Sequence, residues 1–246
     1  KLLYNLAKNI RQMELEVIYK DEYCICVNKP NNVVVHHSFL SRNVADEKSL
    51  LQLLEAQFGE KFHPVHRLDR KTSGIMLLTN NSENVSKFQV LFTNKEIQKT
   101  YYGVVRGHAP ASKTIDSPVK GKDGKSYKEA LTHLKTLATI VLDIPVKPYD
   151  SSRYSLVEME PKTGRMHQLR AHTLKISHPL IGDAKYGDKN HDLMFETNFG
   201  WKNFFLHAGS LTFKHPFTNE KLNLKSEFPE DWNSLFKEFN WKNPMI

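Results

Sequence analysis

His63-Pro64-Val65-His66-Arg67-Leu68-Asp69-Arg70-Lys71-Thr72-Ser73-Gly74 runs directly into Ile75-Met76-Leu77-Leu78-Thr79. The second stretch is short, apolar and free of charge, and reads as a buried strand. The first is a charged loop leading into it. Its carboxylate, Asp69, sits among four basic side chains, His66, Arg67, Arg70 and Lys71. Nearby positive charge favours an ionised carboxylate, and an ionised carboxylate fixed at the mouth of a strand is a candidate covalent nucleophile. On charge alone the same pattern describes a solvated loop with local ion pairs.

Outward from this stretch, strands and helices mix without strict alternation. On the N-terminal side, Met-Glu-Leu-Glu-Val-Ile-Tyr-Lys from Met13 and Tyr-Cys-Ile-Cys-Val-Asn from Tyr23 read as two strands around a turn at Asp21-Glu22. Val33-Val34-Val35 is a short β-type run. Ser49 is placed to cap a helix through Leu50, Leu51, Leu53, Leu54 and Phe58, with Gly59 past its end. On the C-terminal side, Ser82 opens a helix that buries Val85, Phe88 and Phe92, and residues 100–105 form a Tyr- and Val-rich strand. Residues 107–128 read as a polar, exposed excursion, 131–142 as a strand pair, 143–152 as a loop and 154–160 as a strand. Residues 165–176 read as a helix, and 205–213 and 221–224 as late strands. The expected fold is α+β: a mixed, largely antiparallel central sheet in two lobes, with flanking helices and a cleft between the lobes. Residues 1–12 are an extension with no assigned role. Residues 13–246 are expected to form one catalytic domain, with no separate N-terminal RNA-binding domain.

The 246 residues carry 35 Lys and Arg against 27 Asp and Glu, a formal charge of +8. The basic residues are spread through folded-looking segments, which predicts a basic face for a polyanion and not a disordered arm. No apolar stretch approaches the roughly 20 residues of a membrane-spanning helix, and no signal peptide is evident. Cys24 and Cys26, the two cysteines, read as small core residues and not as a metal site. The absence of a disulfide framework suits a reducing cytoplasm.

Five further stretches matter. Gln98-Lys99-Thr100-Tyr101-Tyr102-Gly103-Val104-Val105-Arg106-Gly107 pairs a basic start with an aromatic strand. Glu160-Pro161-Lys162-Thr163-Gly164-Arg165-Met166-His167-Gln168-Leu169-Arg170-Ala171-His172 packs Arg and His at helical spacing after a Gly. His178-Pro179-Leu180-Ile181-Gly182-Asp183-Ala184-Lys185-Tyr186-Gly187 follows, and Leu206-His207-Ala208 and His215-Pro216-Phe217-Thr218 close the series. Together with His66-Arg67-Leu68-Asp69, these resemble the ordered motifs of the RluA family of pseudouridine synthases, from about Met13 to Trp232.

The resemblance implies an isomerase that turns a uridine of structured RNA into pseudouridine, as a monomer and without cofactor or metal. By it Asp69 is the nucleophile, Tyr101 the aromatic that stacks on the target base and a possible aid in removing the C5 proton, and Arg165 the partner that orients Asp69. Arg67 fills or holds open the place of the flipped-out uridine, Leu169 lies against the uracil, and His66, Arg70, Lys71 and Lys99 are candidate RNA contacts. Thr72, Ser73 and Gly74 are expected to let an RNA backbone come close. Similarity in residues 35–40, 153–165 and 177–188 is greatest to members acting on transfer RNA, implying tRNA and its uridine conventionally numbered 65. The polar loop at residues 41–48 is longer than that similarity predicts. The residues leave open attack at C6 of uracil or C1′ of ribose, the same chemistry on ribosomal RNA, and an inactive RNA-binding module. A glycoside hydrolase needs a second carboxylate across the scissile bond, and none is evident.

Overall fold

The computed structural model describes residues 14–37, 47–121 and 123–246. The extension at 1–12 and most of the loop at 41–48 lie outside the described residues. In chain order the elements are β1 (Val17–Lys20), β2 (Cys24–Lys29), α1 (Leu50–Phe58), β3 (His63–Pro64), β4 (Ser73–Thr79) and α2 (Val85–Thr93). Then come β5 (Gln98–Arg106), β6 (Ser112–Asp116), β7 (Val119–Lys120), β8 (Tyr127–Lys128), β9 (Leu131–Leu142) and β10 (Ser152–Pro161). The chain closes with α3 (Gln168–Lys175), α4 (Lys189–Phe199), β11 (Leu206–Lys214), β12 (Lys221–Lys225) and α5 (Glu230–Glu238).

The central sheet runs β1-β2-β4-β11-β5-β10-β9-β6, with β3 added to β4 and β12 to β11. Its pairings are antiparallel except one: β11 meets β4 in parallel, His207 opposite Ser73 and Ala208 opposite Gly74. That pairing is the seam between the two lobes. One lobe packs Ile25, Val27, Leu54, Met76 and Phe88. The other packs Tyr154, Phe195, Phe205, Trp232 and Phe239. A third cluster, with Val157, Met159, Leu180 and Leu206, lies under Leu169.

The seam explains why a glycine ends the charged loop. Gly74 has φ +112, and a Cβ there would sit 2.2 Å from the Ala208 carbonyl oxygen. The glycine therefore serves strand against strand. It is buried with Thr72 and Ser73, which corrects the expectation that this turn receives an RNA backbone. All seven residues of β4 are buried, as its apolar run predicts.

Helix α1 forms as predicted: Ser49 Oγ accepts from Gln52 N–H, the Gln52 side chain returns the bond, and Gly59 closes the end at φ 71. Val33-Val34-Val35 is not a strand. Its Val34 and Val35 carbonyls accept the N–H groups of Leu50 and Leu51, satisfying donors that a helix start leaves free. Residues 131–142 form one twelve-residue strand, not a pair, because β10 pairs along its whole length. The stretch 107–128 is not irregular throughout, since it supplies β6 and the β7–β8 hairpin. The predicted helix over 165–176 starts only at Gln168, because His167 takes a left-handed φ of 55. Two helices went unread. Asp188 caps α4 and Gly200 ends it; Pro229 precedes α5, whose first turn carries Glu230 and Asp231.

Candidate active site

Asp69 sits at the apex of a loop pinned from several sides. Leu77 N–H donates to His66 Nε2 at 2.9 Å, tying the loop's entry to β4. Burial pulls His66 down to about 3, with Lys99 adding to the effect, so the ring is a neutral acceptor. At the exit, Ser73 Oγ bonds His207 Nδ1 at 2.9 Å. Beneath the loop Lys29 is fully buried. Its ammonium donates to the carbonyls of Pro30, Val33 and Arg70 at 2.8, 2.9 and 3.0 Å. Burial draws it down to about 7, against the attraction of Asp69. A lysine between Asn28 and Pro30 gave no sign in the sequence of this role.

The carboxylate itself is held by Arg170. Nη1 of Arg170 donates to Asp69 Oδ2 at 2.8 Å. The other edge of the guanidinium grips both oxygens of Asp183, each at 2.7 Å. The Asp183 side chain is fully buried. Burial alone would raise its carboxyl, but Arg170 and the N–H groups of Lys185 and Tyr186 outweigh that and hold it below the usual range. Burial likewise opposes charge on Arg170, yet the bonds to Asp183 and Asp69 hold its guanidinium charged beyond the ordinary. His167 Nε2 lies 3.7 Å from the same Asp69 oxygen. Among the described residues Asp69 Oδ1 has no hydrogen-bond partner.

The expected pairing of Arg165 with Asp69 is not made. Arg165 lies in the turn before α3, where the Gln168 side chain takes its N–H at 3.1 Å. Its Nε donates to the Glu129 carbonyl at 3.0 Å. Because the helix begins late, Arg170, one turn in, points to the carboxylate. The motif contained both arginines, and only the start of the helix decides between them.

Asp69 opens into a cleft of about 1040 Å³ lined by Arg67, Tyr101, Arg165 and Leu169, with Lys99 and Glu160 also on its walls. That volume is at or slightly above the upper end of the roughly 300–1,000 Å³ usual for small-molecule sites. Tyr101 lies on β5, and burial followed by the Asp69 charge pushes its phenol above the usual range. Leu169 presents a largely buried apolar surface to the cleft. Arg67 is exposed and makes no hydrogen bond or ion pair among the described residues. Burial, and then Lys162, lower the Lys99 ammonium. His66 also lines the cleft, with one ring nitrogen committed to β4. Two expected RNA contacts lie elsewhere: Arg70 pairs with Glu47 and the Asn32 carbonyl, and Lys71 borders a separate small cavity of about 120 Å³. The other cleft carboxylate among the described residues, Glu160, is paired with Lys162 at 2.6 Å. It offers no second free carboxylate for glycoside hydrolysis.

Away from the cleft, Asp21, Cys24 and His215 bring a carboxylate, a thiol and a ring nitrogen within 4.8 Å of one another. The spacing of the cysteines does not reveal this cluster. His215 Nδ1 accepts the N–H groups of Phe217 and Thr218 at 3.3 and 3.1 Å, which puts the ring proton on Nε2, directed at Asp21 Oδ2 3.3 Å away. Burial raises the Cys24 thiol far above its usual range. With its lone pair at Nδ1 taken and a proton on Nε2, the ring suits a structural bridge between two turns. Among the described residues no helix is long and apolar enough to cross a membrane.

Comparison with known proteins agrees with this geometry. Residues 23–175 match the family described as RNA pseudouridylate synthase. A tRNA pseudouridine synthase C of Vibrio cholerae is 36% identical over 242 residues, covering 94% of this chain and 98% of that one. Its counterpart in Pasteurella multocida is 38% identical over 239 residues, covering 93% and 98%. Among solved structures, human RNA pseudouridylate synthase domain containing 4 superposes with a TM-score of 0.71 at 24% identity, covering 98% of this chain and 97% of that one. Its fold is the one described above.

Proposed function

Because this chain belongs to the RNA pseudouridylate synthase family, we propose that it isomerises one uridine of transfer RNA, the position conventionally numbered 65, with Asp69 as nucleophile. The relatives at 36% and 38% identity are named for tRNA, which favours that substrate over ribosomal RNA. The carrying observation is the state of Asp69: Oδ2 is tied to Arg170, while Oδ1 has no partner among the described residues and belongs to a side chain lining the cleft.

A uridine in a stem hides its glycosidic bond, so the nucleotide must leave the stack at a cost of about a few kcal/mol. Exposed Arg67, lining the cleft without a partner among the described residues, suits the space the nucleotide vacates. Asp69 then attacks uracil C6 or ribose C1′, and the bond from N1 to C1′ breaks. The uracil turns, C5 bonds to C1′, the bond to Asp69 breaks and returns the free carboxylate, the C5 proton leaves and N1 gains one. Atoms and electrons balance with no co-reactant. Tyr101 and Leu169 give the detached base an apolar bed beside Asp69. The raised Tyr101 phenol keeps its proton at neutral pH, so a neutral hydroxyl, not a phenolate, meets the base. Arg170 keeps Asp69 ionised and oriented.

The test maps pseudouridine in total RNA from cells with and without the gene, complemented by wild type and by Asp69→Ala. One tRNA site lost and restored only by wild type is the expected result. A ribosomal site would overturn the substrate, and no lost site would favour an RNA-binding module.

A further inference from the structure

Two basic side chains meet the Asp69 carboxylate among the described residues: Arg170 at 2.8 Å and His167 at 3.7 Å, both at Oδ2. A guanidinium does not take up a proton, and this one is committed to Asp69 and Asp183. His167 is different. At 3.7 Å its Nε2 stands beyond hydrogen-bond length from the carboxylate, so that nitrogen is not spent on holding it. The ring lines the cleft and is fixed from behind. Its Nδ1 lies 3.3 Å from the Tyr186 hydroxyl, and the two rings meet edge to face with centroids 5.7 Å apart. Tyr186 in turn belongs to the frame around Arg170: its N–H donates to Asp183 Oδ1 at 3.1 Å, and the guanidinium lies over its ring at 5.2 Å.

The backbone carries a second constraint. His167 holds φ 55, a conformation few residues with a side chain adopt, while its carbonyl accepts Ala171 N–H at 2.9 Å to begin α3. Strain of this kind persists where the surroundings over-determine it, and it gathers at active sites. Burial pulls the ring below its ordinary value against the pull of Asp69, with Arg170 and Lys185 adding and Asp183 opposing. The ring is therefore neutral at neutral pH, with one nitrogen able to accept.

The isomerisation needs such a group. Once C5 is joined to C1′, the C5 proton must go to a base. Tyr101 keeps its own proton, His66 has its Nε2 lone pair taken by Leu77 N–H, and Glu160 is paired with Lys162.

We propose that His167 takes the C5 proton, as the general base of the last step. With Nδ1–H donating to the Tyr186 oxygen, the Nε2 lone pair is free on the Asp69 side. The C5–H bond breaks, its electron pair becomes the C5–C6 double bond, and the proton passes to Nε2. The pair displaced from C6 rests on N1, which takes up a proton from the imidazolium, and the ring ends as it began. While charged, it stands between the restored Asp69 carboxylate and the Tyr186 oxygen, both of which favour that state.

This rests on the isomerase reading above and names the group that moves the proton within it. The test compares tRNA carrying uridine with tRNA carrying 5-fluorouridine at the target, in single turnovers at saturating enzyme. Fluorine at C5 permits attack, detachment and the new C5–C1′ bond but leaves no C5 proton to remove. His167→Asn, chosen because asparagine tolerates a left-handed backbone, is expected to isomerise uridine about 100-fold or more slowly while consuming 5-fluorouridine at the wild-type rate. Deuterium at C5 should slow the variant more than wild type. Tyr186→Phe should show the same pattern with a smaller loss. Equal losses on both substrates in folded variants would overturn the proposal and make His167 a support for Asp69, and a wild-type rate on uridine would overturn it as well. Thermal melts establish folding, and Tyr186→Phe, which keeps ring and backbone, carries the test if His167→Asn does not fold. A wild-type protein that isomerises no tRNA uridine fails the functional reading itself, an outcome distinct from failure of the variant comparison.

Discussion

Arg170 spans Asp69 and Asp183: one nitrogen meets the cleft carboxylate at 2.8 Å, and two others clasp the buried one at 2.7 Å. The buried pair is a mount. A guanidinium held bidentately on one side has a fixed direction on the other, which lysine cannot reproduce. Arg170→Lys is therefore expected to lower the single-turnover rate by about 100-fold or more. Breaking a buried pair costs about 3–5 kcal/mol, so urea melts should show a loss of that order. Asp183→Asn, which touches nothing in the cleft, should also slow the reaction. A full rate in folded Asp183→Asn would show that the mount is dispensable.

Arg165 offers the matching contrast. It is exposed and bonded to the Glu129 carbonyl, so Arg165→Ala is expected to retain a rate within about tenfold of wild type, the effect of losing one exposed hydrogen bond. Arg170→Ala should lose far more. Equal losses in single-turnover assays would mean that RNA binding brings Arg165 onto Asp69.

Gly74 tests the seam. Alanine there needs a φ of +112 and a Cβ 2.2 Å from the Ala208 carbonyl oxygen, and its three nearest atoms are all Ala208 backbone, with no flexible side chain to yield. Gly74→Ala is expected to cost about 4 kcal/mol or more. Poor soluble yield and a lowered melting temperature would show it. A wild-type melt would mean that β4 and β11 separate easily.

These cases mark what the sequence could carry. Local signals were legible: the Ser49 and Gly59 caps, the apolar β4 and the stretch around Asp69 each depend on neighbours a few residues away. Choices made by distant contacts were not. Arg165 and Arg170 lie in the same motif, and a left-handed His167, not any residue type, selects the second. Lys29 has no sequence signature of its role, because its ammonium is enclosed by the nearby Pro30 and Val33 carbonyls together with the distant Arg70 carbonyl. Asp183 has no role that its own stretch of sequence announces, and only the folded chain, 13 residues back at Arg170 and on to Asp69, links it to the site. The helix after Asp188 has weak apolar spacing to announce it, whereas the one after Pro229 carried a legible pattern, with Trp232, Leu235, Phe236 and Phe239 buried at helical spacing.

The seam also sets a pH limit on stability. His207 is fully buried, with Nδ1 on Ser73 Oγ and Nε2 on Ser226 Oγ at 2.9 and 3.0 Å. Burial pulls it from 6.5 to about 4. The unfolded chain therefore takes up a proton that the folded one refuses between those values. The contribution of the neutral ring is fully present above about pH 6.5, is lost as pH falls, and is gone below about pH 4. Roughly 3 kcal/mol follows from a shift of that size. His66, held at about 3, acts in the same direction. Melting temperatures taken from pH 7 to pH 4 should fall steeply for wild type and less steeply for His207→Gln, whatever its starting stability. Parallel curves for the two proteins would assign the acid limb to other groups.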